Sequence, residues 1–393
     1  MSNTISSSLI PAIIGFGREA LPERMAYLKM VSKNYADAAG KIGQSVEVPI
    51  AQTLEAESVT VANVAPAASA ITNGTTTLTI DKFEKTSFAY SVTDKQNYDI
   101  VKWFGEQMKE AVNGLAKKIN QDLITEAWNN TPYAVGNAGT GYFASNYDGL
   151  LDARAALLGR NVDVENLSAV LSLKDAAALG KIDQVQNANQ FGNRDLNMFG
   201  MAGRVAGFDI WEDQRATANT KGTITGGTLG AATTSSSSTV VTCATGEGCA
   251  LKVGDLIAAD GATYSVQADL TIAAGATGTL EVDRNWETAL DGDETLAFAA
   301  VTDGDLGVYD AASLRNLCGD FRGIAAVLRR PAGGVDGFNT QGEHYPITDP
   351  VTGATFNLAI YPQYHQTAFE VSCVYGVRNV DARRFTRILS YSS

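Results

Sequence analysis

TDKQNYDIVKWFGEQMKEAVNGLAKKINQDLITEAW, residues 93–128, carries a single apolar stripe. Val101, Phe104, Met108, Val112, Leu115, Ile119, Leu123 and Trp128 recur mostly at steps of three and four, the spacing that lines one face of a helix. Thr93 and Gln96 fit a capping box at its start, hydroxyl and carboxamide satisfying the first backbone donors. Continuous from Asp94 to Trp128, the helix runs roughly 52 Å at about 1.5 Å per residue. Gly105 and Gly114 weaken it and bend it. A helix of this length serves many folds, so the order of elements around it decides.

Upstream, residues 44–50 alternate, with Val46, Val48 and Ile50 on one face, which predicts a strand. Residues 75–90 return as a strand rich in Thr, Phe and Tyr, while 51–73 hold small residues and Pro66 with weak periodicity. The simplest reading is a long two-stranded excursion that leaves the body near Val48 and returns near Val92. Its small, polar tip buries little in its own monomer and suits packing on a neighbour. Before it, Pro22 opens a helical spacing (Met25, Leu28, Val31, Tyr35) that Gly40 and Gly43 close, an arm over residues 1–43.

Downstream, residues 145–159 form a second amphipathic helix and 167–171 a buried strand; Ser172 caps a short helix through Asp175, and Gly180 closes it. A strand over 205–211 leads to an abrupt change of composition. Residues 217–303 open with a Gly/Thr/Ala/Ser run, 222–238, and continue as short strands at 239–245, 255–260, 262–273, 278–284 and 295–301. Asp260-Gly261 and Asp291-Gly292 supply turn chemistry. Three basic residues (Lys221, Lys252, Arg284) face eleven acidic ones, so this segment contributes −8 of the chain's −13. It reads as a small acidic β module inserted in an α+β body of residues 93–216 and 304–393. Strands at 321–328, 356–361 and 369–375 and a basic tail (Arg378, Arg383, Arg384, Arg387) complete that body.

The 393 residues suffice for one core domain and one inserted module. No apolar window is long enough for a spanning helix, and residues 8–16 lack the basic flank of a secretory signal. A pI near 4.7 argues against tight nucleic-acid binding through the overall field. Ile13-Ile14-Gly15-Phe16-Gly17-Arg18-Glu19-Ala20 imitates a dinucleotide fingerprint, but Pro11 sits in the would-be strand and Pro22 in the would-be helix. His344 and His365 lack metal-ligand spacing and read as structural histidines. Asp291, Asp293 and Glu294 resemble a fragment of a calcium loop without its remaining ligands, and read as a solvated turn. Cys243 and Cys249 could face each other across a hairpin; for a protein made in a reducing compartment they read as two free thiols, with a disulfide as the alternative. Cys318 and Cys373 lie in apolar runs and read as small core residues. The four arginines of the tail read as a solvated or inter-subunit face. No catalytic constellation, metal site or cofactor site emerges.

In sequence order, four stretches carry a resemblance. They are Tyr35-Ala-Asp-Ala-Ala-Gly-Lys-Ile-Gly-Gln-Ser-Val-Glu-Val-Pro49, the helix of residues 93–128, Arg204-Val-Ala-Gly-Phe-Asp-Ile-Trp-Glu-Asp-Gln214, and Leu251-Lys-Val-Gly-Asp-Leu-Ile-Ala-Ala259 with Tyr264-Ser-Val266. Together they resemble the major capsid (coat) proteins of tailed bacteriophages, within them the short-tailed phage coat family with an inserted β-barrel domain. The resemblance implies an N-terminal arm (1–43), an extended loop (44–92), a peripheral domain with a spine helix, an axial domain, and a barrel on the outer surface. It implies hexamers and pentamers of the chain in an icosahedral shell around double-stranded DNA, with no membrane. It also implies a portal and, because no long scaffold-like segment opens the chain, a separate scaffolding protein. Such a subunit resides in the virion, after assembly in the host cytoplasm. Some relatives crosslink loop lysines to a neighbour; Lys82 and Lys85 lie on the returning strand, in the right region for inter-subunit contacts. The alternatives are an encapsulin-like compartment shell, a nucleotide-binding enzyme resting on Gly15–Gly17, and a decoration or tail protein, which the length and long helix fit poorly.

Overall fold

A computed structural model describes residues 30–33, 43–50, 74–97, 100–138, 141–143, 146–182, 203–224, 226–259, 262–292, 294–298, 312–331, 334–335, 338–339, 342–348 and 354–390. Most of the expected arm, the excursion's tip and the Gly15–Gly17 string lie outside these residues. The chain divides into two units, Met1–Ala116 with Ile324–Asp381, and Lys117–Gly323 with Ala382–Ser393.

The first unit is built on one strand of 14 residues, Gln366–Asn379. Lys82–Ser91 pairs antiparallel along it from Gln366↔Ser91 to Tyr375↔Lys82. Thr355–Gln363 pairs with its first half and Ile324–Arg329 with its second, also antiparallel. Glu343–Thr348 extends the sheet beyond Thr355–Gln363. Phe88, Tyr90 and Phe369 meet Phe104 from the long helix; the Phe104 and Phe369 rings are 4.6 Å apart and edge-on. Met108, Ala111, Val112 and Leu115 continue that buried face, as the stripe in the sequence requires.

The helical residues of this stretch are described over Val92–Asn97 and Ile100–Asn129, with residues 98–99 between them outside the described residues. The capping box lies two residues earlier than Thr93/Gln96: Asp94 accepts from the backbone N–H of Ser91 at 2.9 Å, and the Ser91 hydroxyl accepts from the N–H of Asp94 at 3.2 Å. Ser91 ends the strand, so its backbone already has the extended geometry a cap needs. The long helix's 30 residues span about 45 Å at ~1.5 Å each. Its residues from Lys117 onward belong to the second unit, where Ile119, Leu123, Ile124, Ala127 and Trp128 are buried.

The second unit holds a six-stranded sheet in the order Ala134–Gly136, Phe385–Leu389, Asn316–Gly319, Ser168–Ser172, Phe208–Asp213, Arg204–Val205. Its two parallel pairs are Phe385–Leu389 with Ala134–Gly136 and Ser168–Ser172 with Phe208–Asp213. Helix Asp148–Gly159 packs Leu150, Ala153 and Leu157 against Leu167, Leu171, Phe208 and Ile388. Ser172 caps the helix Leu173–Gly180 by accepting from the N–H of Asp175, as its sequence suggests. The single strand expected at 205–211 is instead a hairpin, turning through Ala206 and Gly207 at φ 52° and 89°. Both angles are positive, the geometry of a type I′ turn, and Arg154 donates to the Ala206 carbonyl at 3.1 Å.

The inserted segment folds into two antiparallel ladders around one apolar core that includes Leu229, Val241, Leu251, Ile257, Tyr264, Leu280 and Trp286. Six strands run in the order Ala262–Ser265, Leu256–Ala259, Thr295–Phe298, Gly227–Leu229, Ser238–Cys243, Thr277–Glu281; three more are Leu270–Ile272, Cys249–Leu251 and Thr223–Ile224. The expected barrel is not what these ladders form: among the described residues the six-stranded one does not close. Its outer strands are linked beyond their ends by one bridge, Val266↔Val282. The strand expected over 262–273 breaks in two because Asp269 turns back to accept from the N–H of Val253 at 2.9 Å and to pair with Lys252.

Candidate functional site

The excursion is rooted in a two-stranded sheet, Ser45–Ile50 with Gly74–Thr79, in register from Ser45↔Thr79 to Ile50↔Gly74. Alternation sorts its side chains: Val48 and Leu78 are fully buried, while Glu47 and Pro49 are exposed. Val48, Leu78 and Ile80 close a small core with Ala325, Val327 and Val374. The root crosses the 14-residue strand at Gly376, where a Cβ would run into the Thr79 carbonyl and come within 3.1 Å of the Ile80 Cα. Glycine is therefore required there by the close approach of two backbones. The ladder's far end, Ile50↔Gly74, leads into residues 51–73.

Lys82 and Lys85 lie on the returning strand as expected. The Lys85 ammonium is 3.2 Å from the Glu370 carboxylate on the neighbouring strand, with the lysine side chain 61% exposed. The Lys82 ammonium lies 5.9 Å from the Tyr375 ring centre. His344 shares a contact of 3.1 Å with the Asn357 amide, and His365 sits in the two-residue turn after Gln363 at φ 54°, its ring 4.1 Å from Tyr364. Among the described residues no group of three His, Cys, Asp or Glu could hold a metal. Glu294 closes its turn by accepting from the N–H groups of Asp291 and Gly292 at 2.8 and 3.1 Å.

Two expectations need correction. The first is only the placing of Cys243 and Cys249 across a hairpin: Cys243 ends a strand of the six-stranded ladder and Cys249 begins one of the three-stranded ladder, and both are buried and not joined by a disulfide. Cys318 and Cys373 are also free and buried, and burial pushes the Cys373 thiol up to about 12. The second correction concerns the basic tail. Arg387 is completely buried, and Arg384 donates at 2.9 Å to Asp320, itself 1% exposed. Arg322 reaches the same carboxylate at 2.9 Å, and that hydrogen bond raises its already high pKa further. Part of the tail is thus a core element of the second unit. Nothing in its spacing distinguishes Arg387 from its neighbours; the apolar Phe385, Ile388 and Leu389 around it were the available hint.

No family model and no curated protein matches the chain significantly. Among solved structures it is similar to a chain from Mycobacterium phage Che8, at 12% identity and TM-score 0.47, covering 93% of this chain and 92% of that one. It is similar to the capsid structure of cyanophage P-SCSP1u, at 14% identity and TM-score 0.47, covering 93% and 87%. The capsid of an empty GTA particle gives 13% identity and TM-score 0.47 over 94% and 90%.

Proposed function

We propose that this chain is a major capsid protein, a structural subunit that assembles with copies of itself into the icosahedral shell of a tailed phage. One observation carries the reading: the excursion leaves the body as a two-stranded sheet of its own, Ser45–Ile50 with Gly74–Thr79, seated at its root on a small core through Val48 and Leu78. Two strands by themselves are marginally stable in water, so the part of the excursion beyond this root gains a purpose where a neighbouring subunit covers it. The order of elements supports the same reading, since ribbon, sheet strand and helical residues 92–97 and 100–129 come in that sequence along the chain. So do the four sequence stretches that resemble tailed-phage coat proteins. The mechanism is mechanical: repeated interfaces between copies stabilise the closed shell.

In this reading the acidic module, two ladders around one core, stands in the place of the family's inserted domain and faces outward. Scaffolding and portal proteins are the assembly partners, double-stranded DNA is the content, and assembly takes place in the host cytoplasm before the subunit resides in the virion. Lys82 and Lys85 mark a strand that contacts the next subunit, without catalysis. Deleting residues 56–72 tests the proposal. The expected outcome is a folded subunit, with its sheet protected from amide exchange, that does not close shells. Shells of normal size and yield from the deletion variant would contradict it.

A further inference from the structure

Where the inserted module meets the body, three segments converge on one side chain. Arg387, on the last strand of the body sheet, is fully buried. Its guanidinium donates to the Gly254 carbonyl at 2.5 Å and the Ser265 hydroxyl at 3.0 Å, both in the module. It also donates at 3.4 Å to the carbonyl of Asn129, the last residue of the long helix, and lies 4.9 Å from the ring centre of Trp128. The Ser265 hydroxyl donates to the same Asn129 carbonyl. Thr263 donates to the Pro132 carbonyl at 3.0 Å, and the backbone N–H of Arg387 to that of Tyr133 at 2.9 Å. Gly254, at φ 89°, sits so close to Asn129 that a Cβ would lie 2.5 Å from its side-chain oxygen. Leu256 of the module completes an apolar cluster with Trp128, Ala134, Ala138 and Leu389 of the body.

The final carbonyls of a helix have no partner within it, and a cation near them is favourable. Here the Asn129 carbonyl receives one donor from the module and one from the C-terminal strand. A buried guanidinium in turn requires acceptors, because an unsatisfied buried charge is costly. Each partner therefore needs the other two in place.

We propose that Arg387 makes the module, the end of the long helix and the C-terminal strand one cooperative unit, so the module cannot undock without opening the other two. The module is then a rigidly docked domain rather than a bead on a tether. This coupling is a property of the single subunit and stands whether or not the chain forms shells.

Amide hydrogen exchange of the isolated full-length subunit tests it, comparing wild type with Arg387→Met, which keeps an unbranched chain without the charge. Opening is expected to rise about tenfold or more, the scale of a lost charge-assisted hydrogen bond. It should rise together at residues 252–266, 126–133 and 385–389, with Ser168–Ser172 unchanged as the internal control. If Arg387→Met does not fold, Ser265→Ala, which removes one shared donor, should give the same three-segment pattern at smaller amplitude. Faster exchange confined to the module, or no change in any segment for the folded variant, would overturn the proposal.

Discussion

Gly376→Ala tests the seating of the excursion. The added methyl group points into backbone, not into a movable side chain: the Thr79 carbonyl oxygen, its carbon at 2.9 Å and the Ile80 Cα at 3.1 Å. Ordinary van der Waals contact begins near 3.4 Å, so the ribbon root must withdraw by about half an ångström or more. Overpacking of this kind costs roughly 1–3 kcal/mol. The displacement falls on a small core, Val48, Leu78, Ile80, Ala325, Val327 and Val374, which has little else to hold the ribbon. The expected result is five- to hundredfold faster amide exchange over Ser45–Ile50, from about 1–3 kcal/mol at roughly 1.4 kcal/mol per decade, with the 324–329 ladder less affected. Because the ribbon is then re-aimed, shell yield in sedimentation should fall as well. Unchanged exchange at Val46 and Val48 would refute the reasoning. So would normal shells from a subunit whose root has measurably loosened.

Burial raises the pKa of the Asp283 carboxyl, outweighing the hydrogen bond from Ser265 and the pairing with Arg284, which both pull it down. The folded module thus binds this proton more tightly than the unfolded chain. The resulting stability is greatest below the unfolded value of about 3.9 and is lost as pH rises through the folded value; Asp283→Asn should flatten that part of the urea-midpoint-against-pH curve, and an unaltered slope would argue against it. His365 holds a left-handed backbone at φ 54°, which costs an ordinary residue roughly 1–2 kcal/mol and Asn less. His365→Asn should raise the melting temperature of the isolated subunit; a fall would mean that the Tyr364 ring contact outweighs the strain.

Local patterns of the fold were readable before any coordinates. Val46 and Val48 alternate with exposed residues because one face of a ribbon is covered, and the Phe104-to-Trp128 stripe is buried because a helix of that period has one inner face. What escaped reading depends on distant partners. Thr223–Ile224 and Gly227–Leu229 lie at the edge of a Gly/Thr/Ser run, and become strands only because Cys249–Ala250 and Val241–Cys243 supply their ladders. The Arg204–Val205 hairpin has no glycine at its first turn position, so the apolar run looked continuous. Ser91 displaced Thr93 as the cap because the strand before it ends there, a boundary set by pairing with Gln366. Arg387 looked like its exposed neighbours because a buried guanidinium is recognised by its acceptors, which come from Gly254, Ser265 and Asn129.

The most direct measurement is sedimentation followed by negative-stain electron microscopy of the purified full-length chain, with and without lysate containing a candidate scaffold. Closed shells, or curved sheets and aberrant spirals built from the same subunit, are the predicted result. A monomer or small oligomer under every condition would contradict a capsid role.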